Sequence, residues 1–215
     1  MLMYCLSNKK KHARSRSAFT LIELLVVIAI IAILSIVVVL TINPAEMLRQ
    51  SRDSQRVSDL STLRSAISLY LVDSSAPNLA SSSSGYGYGG CYLSTTGTNA
   101  TSGARCGIFT NSYTADVSVT AANYRKNDST GWLPVNFSQI TLSSPLSSLP
   151  VDPLNNLTNY YAYAATTTNG AYYFEIDTFM ESKKYGAGGT NDVVTTDGGD
   201  NPNAYEIGNK PGLNL

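Results

Sequence analysis

At 215 residues the chain has room for one ordinary domain plus appendages, and its fifteen basic and fifteen acidic side chains give no net charge to drive nucleic-acid binding. The balance is uneven: residues 1–18 hold Lys9, Lys10, Lys11, Arg14 and Arg16 and no acid, leaving ten basic against fifteen acidic residues, or −5, in the remainder. His12 is the only histidine and lies in that basic segment, so residues 19–215 offer no Ser-His-Asp, Cys-His or histidine–metal chemistry.

Residues 19–42 (FTLIELLVVIAIIAILSIVVVLTI) are almost unbroken apolar sequence, and as a helix these 24 residues span ~36 Å, enough to cross a bilayer core. The basic run before them sets the N-terminus on the cytoplasmic side by the positive-inside rule, with everything after residue 42 facing outward. A secretory signal peptide has a shorter apolar region followed by a small-residue cleavage site, and neither feature is present. A plain single-pass anchor accounts for the length but leaves Glu23 unexplained, since a carboxylate inside such a helix costs roughly 2.5–3.5 kcal/mol on insertion scales.

The run Ser17-Ala18-Phe19-Thr20-Leu21-Ile22-Glu23-Leu24-Leu25-Val26-Val27-Ile28 resembles the class III signal of type IV prepilins and type II secretion pseudopilins. The resemblance implies that residues 1–18 are a cytoplasmic leader and that a prepilin peptidase/methyltransferase cuts the Ala18–Phe19 bond. The same enzyme methylates the new amino group of Phe19 (N-methylphenylalanine). Position 18 is Ala where the family usually has Gly, though a small residue is kept. The resemblance further implies that residues 19–43 leave the membrane to form the core of a helical filament. There, Glu23 pairs with the Phe19 ammonium of a neighbouring copy, since either charge alone would be stranded in an apolar core. Implied partners are copies of the chain and other pilins, an inner-membrane assembly platform and its ATPase. The precursor is expected as a single-pass inner-membrane protein and the product as an extracellular or periplasmic filament.

Pro44 ends the apolar run or, as the resemblance implies, bends one continuous helix. Residues 44–73 return to helical periodicity: Leu60, Leu63, Ile67, Tyr70 and Leu71 form one apolar stripe. The other face is mixed in charge (Arg49, Arg52, Asp53, Arg56, Asp59, Arg64). It reads as a solvated surface, with contacts between filament subunits as the alternative.

Residues 74–148 are rich in Ser, Thr, Asn and Gly. Pro77 and the run SSSSGYGYGG (81–90) mark a flexible loop, and residues 115–120 and Trp132 suggest weak β structure in a variable region. Cys91 and Cys106 lie here. With Cys5 in the leader they form an even pair, which in an oxidising compartment reads as a disulfide rather than a metal or catalytic site. Two unpaired thiols are the alternative. Closing that loop stabilises a fold by roughly 3 kcal/mol on the chain-entropy model.

Residues 149–215 give the clearest β signal. Segments 159–165 (NYYAYAA) and 171–180 (AYYFEIDTFM) are strand candidates joined through Asn169-Gly170, a hairpin signal, and residues 205–208 add a further strand. The segment Leu149-Pro150-Val151-Asp152-Pro153 resembles in part a Pro-Asp-Pro-type segment of major pseudopilins, without the Trp-Gly that often follows there. The tail at 186–203 carries Asp192, Asp197 and Asp200 on a Gly-rich loop. These are hard oxygen donors suited to Ca2+, and some major pseudopilins have a calcium-binding loop in this region. An acidic surface turn is the competing reading.

The expected fold is α+β: a long N-terminal helix, transmembrane in its first half and amphipathic in its second, packed on a small C-terminal antiparallel sheet. The expected function is a structural filament subunit rather than an enzyme. The alternative is a minor pilin acting as a surface adhesin or DNA-binding tip subunit through residues 77–148.

Overall fold

The computed structural model describes residues 19–80, 86–97, 104–111, 113 and 115–215, and these divide into two units at Pro44. The first unit is a single helix, α1 (Leu21–Ile42). Thr20 caps its N-terminus by accepting a hydrogen bond from the Glu23 amide, and Asn43 closes its C-terminus in the left-handed conformation. Pro44 then opens α2 (Pro44–Asp73), at the first helical position, where its missing N–H has no helical partner to lose. Pro44 therefore stands at a helix start, and Asn43 is the one residue between the two helices.

The second unit packs α2 against a five-stranded mixed sheet. Its strands are β1 (Gly90–Thr96), β2 (Ala115–Val119), β3 (Ala162–Thr168), β4 (Ala171–Thr178) and β5 (Tyr205–Gly208), in the order β2-β1-β3-β4-β5. β1 and β2 run parallel and the other neighbours antiparallel, so the architecture is α+β as expected. The β3–β4 hairpin closes on Asn169 and Gly170, both at positive φ (52° and 80°), the pairing that a two-residue type I′ turn demands. The strand pair runs further toward the turn than residues 159–165 suggest, because Thr166, Thr167 and Thr168 pair with Tyr173, Tyr172 and Ala171.

Alternation along the strands makes two faces. One carries Tyr163, Phe174, Ile176 and Ile207 and closes over Leu60, Leu63, Ile67 and Tyr70 of α2, all buried. Residues 132–151 complete this core. Trp132 is fully buried, and its indole N–H donates to the Pro150 carbonyl at 2.9 Å. The second face is also covered: Leu93, Ala162 and Ala164 pack with Cys106, Ile108, Phe109, Ala204 and Leu215. Cys91 and Cys106 are disulfide-bonded with Cα atoms 5.9 Å apart, tying the 3-10 turn Ala104–Ile108 to β1. The stretch from 74 to 148 thus supplies two strands and part of both cores, more than the weak β structure its composition suggests. The leader (residues 1–18, including Ala18) and residues 81–85 of the Ser/Gly run lie outside the described residues.

Candidate functional site

α1 is the first candidate surface. From Leu21 to Val39 its mean hydropathy is 3.3 and none of that span is buried. At 22 residues it is about 33 Å long. Its two interior hydroxyls are turned back on the helix: Ser35 donates to the Ile31 carbonyl (2.7 Å) and Thr41 to the Val38 carbonyl (2.9 Å). They therefore bring no unsatisfied polar group into an apolar surrounding. Glu23 remains as the one ionisable side chain of α1. It sits in the first turn, and its carboxylate accepts a long hydrogen bond (3.5 Å) from the hydroxyl of the N-cap residue, Thr20. Phe19, just before the cap, is exposed. The sequence thus sets one carboxylate at the N-terminal end of an otherwise apolar, uncovered cylinder.

The charged face of α2 differs from its sequence reading. Asp53 and Arg56 are fully buried and so are neither solvated nor open to neighbouring subunits, whereas Arg49 and Arg64 remain exposed. Arg56 gives a two-pronged contact to Asp152 (Nε 2.6 Å, Nη2 3.1 Å) and bonds Asp53 through Nη1 at 2.6 Å. Its Nη2 also pairs with Glu181, which takes both Nε and Nη2 of Arg52. Burial works against the Arg56 charge, but the bonds from Asp152, Glu181 and Asp53 outweigh it and hold the guanidinium firmly protonated. The hydrogen bonds from Arg52 likewise hold Glu181 below the usual carboxylate range. Two of the acids also fix backbone: Asp152 accepts the Leu154 and Asn155 amides, and Asp53 those of Glu181 and Ser182. The acid of the Leu149-Pro150-Val151-Asp152-Pro153 segment is therefore the anchor that binds that segment to the helix. A neighbouring contact, Tyr161 hydroxyl to Asp59 at 2.8 Å, adds the sheet to the same junction.

A third group lies on the second face of the sheet. Glu175 and Asp177 on β4 and Glu206 on β5 point to one side, as two-residue spacing and the Asp177–Glu206 register require. All three are 0–1 % exposed, and one carboxylate oxygen from each lies within 4.8 Å of the others. Burial pushes Glu175 up to about 8 and Glu206 up to about 7, with each further raised by neighbouring carboxylates. Burial, then the charges of Glu175 and Glu206, raise Asp177 well above its ordinary value. The β1 side of this layer holds a satisfied pair, Arg105 with Asp116 (3.1 Å).

The tail acids behave differently from one another. Asp192 accepts the amides of Gly188, Val194 and Thr195 and the Thr195 hydroxyl. Asp197 accepts the Gly199 and Glu206 amides, and Asp200 accepts the Thr110 hydroxyl at 2.6 Å. These three do not form a common cluster of ligand atoms among the described residues. Asp197 and Asp200 instead lie near enough to Glu206 to raise its pKa.

Compared with known proteins, residues 13–39 match the family described as the prokaryotic N-terminal methylation motif. No curated protein and no solved structure gives a significant match.

Proposed function

The chain carries the methylation motif that is the signature of type IV prepilins and pseudopilins, and on that premise we propose that it is the precursor of a filament subunit. In this reading a prepilin peptidase cuts Ala18–Phe19 and methylates the Phe19 amine. The mature chain then moves from the bilayer into a helical bundle of its own copies and other pilins, driven by an inner-membrane assembly platform and its ATPase. The filament is a type IV pilus or a type II secretion pseudopilus.

The observation that carries this reading is the coincidence of the motif with α1, whose side chains have no apolar cover within their own unit. Lipid and a filament core are the two environments that supply such cover along the whole length of a helix. Glu23 gives the second a reason to be specific. In the bilayer it sits near the end of the span, where a charge costs less than the roughly 2.5–3.5 kcal/mol of a helix centre. In a bundle of α1 helices it is desolvated and needs a cation. The ammonium of a neighbour's Phe19 is created only by cleavage, so pairing couples assembly to processing. The domain of residues 45–215, tied to its helix by Arg56, is then displayed outward.

Glu23→Gln tests the pairing. The variant precursor is expected to accumulate in the membrane and to be cleaved normally, with sheared filaments reduced at least tenfold. Filament yields equal to wild type would overturn the role given to Glu23.

A further inference from the structure

The geometry points to a buried divalent-cation site of calcium type formed by Glu175, Asp177 and Glu206, tying β4 and β5 to the loops that cover them. The inference stands apart from the filament reading and would hold for this domain in any setting.

Three observations carry it. First, four carboxylate oxygens in this buried group receive no hydrogen bond from any donor outside it and face only one another: Glu175 Oε1, both oxygens of Asp177, and Glu206 Oε1. Buried polar atoms are almost always satisfied, so four in one place call for a ligand. Second, the remaining glutamate oxygens are anchored. Glu175 Oε2 accepts the Leu215 amide (2.9 Å) and Glu206 Oε2 accepts the Asn201 amide (3.0 Å), leaving the other oxygen of each to its neighbours. Third, the cross-strand neighbours on β3 are small. Asp177 and Glu175 stand opposite Ala162 and Ala164 of β3, the two smallest neighbours a strand offers short of glycine. No ion pair among the described residues involves the three acids.

Unless they are protonated, these three carboxylates place three negative charges in the protein interior, and a divalent cation is what compensates them there. The donors are all hard oxygens, with no imidazole or thiolate among them, which selects for Ca2+ or Mg2+ over transition metals. A buried, largely protein-built group that offers several carboxylate oxygens suits Ca2+, whereas Mg2+ keeps much of its water and demands octahedral geometry. Asp197 and Asp200 add negative potential from outside the group. Asp192, whose carboxylate is spent on the Gly188, Val194 and Thr195 amides, takes no part.

The test uses the full chain in detergent, stripped with EDTA and dialysed against trace Ca2+. Metal analysis should find one Ca2+ per chain, and Ca2+ at about a hundred times Kd should raise Tm by roughly 5–10 °C. Asp177→Asn and Glu206→Gln should each abolish both signals, and Asp192→Asn should keep them. Glu206→Gln retains an acceptor for the Asn201 amide, so it keeps the test readable where Asp177→Asn fails to fold. Wild-type protein that neither retains Ca2+ nor gains in Tm overturns the site. So does a response that survives in Glu206→Gln, or one that is lost in Asp192→Asn.

Discussion

Replacing Arg56 by Met keeps a side chain of similar reach and removes the charge at the centre of the α2 junction. What remains is Asp53 and Asp152, both fully buried, and Glu181, which still has Arg52. Leaving buried carboxylates without their cation costs about 3–5 kcal/mol, more than an exposed pair is worth by several-fold. For a unit of this size that is a fall of roughly 6–20 °C in Tm. Arg52→Met is the internal control. Its pair with Glu181 is partly open to solvent, so its loss should cost about 1 kcal/mol or less. Arg56→Lys should recover little, because an ammonium cannot reproduce the two-pronged contact with Asp152 while also reaching Asp53 and Glu181. Urea titration in mild detergent, followed by the emission of Trp132, reads all three variants, since this is the sole tryptophan and is buried in the same core. Equal destabilisation by Arg56→Met and Arg52→Met would refute the argument that burial sets the difference.

The double variant Cys91→Ser/Cys106→Ser should lose about 3 kcal/mol by the same titration, and reductant should have the same effect on the wild type alone. At acid pH the depressed pKa of Glu181 gives a contribution present above its unfolded value of about 4.3 and lost as pH falls through the lower folded value. Urea midpoints of the wild type should therefore drop below about pH 4.3, and those of Glu181→Gln should drop less. In chelator the raised Glu175 and Glu206 act in the opposite sense. The folded state binds more protons than the unfolded one between about pH 4.3 and 8, so midpoints should decline as pH rises through that window. A flat profile there would show that these acids do not carry the protons assigned to them.

The parts of this molecule that were legible in the sequence are those written in neighbouring residues. α1 follows from an unbroken apolar run, the α2 stripe from spacings of three and four, and the hairpin from Asn169-Gly170, whose positive φ values few other pairs tolerate. The Arg56 cluster was not legible, because Asp53 and Arg56 on a helix look like any solvated i,i+3 pair. Their burial depends on Asp152 and Glu181, some 96 and 125 residues further along. Alternation in Phe174-Glu175-Ile176-Asp177 likewise shows two faces without saying whether the second is covered. Here it is covered by segments that reach it through the Cys91–Cys106 link and the 197–204 turns. β1 was hidden for a related reason: it pairs in parallel with β2 across a long connection, which leaves no turn signal between them.

Mass spectrometry of the N-terminal peptide, taken from material sheared off the cell surface, tests the filament reading most directly. In a filament subunit the chain begins at methylated Phe19. A chain found only in membranes and still carrying Lys9 to Arg16 would contradict it.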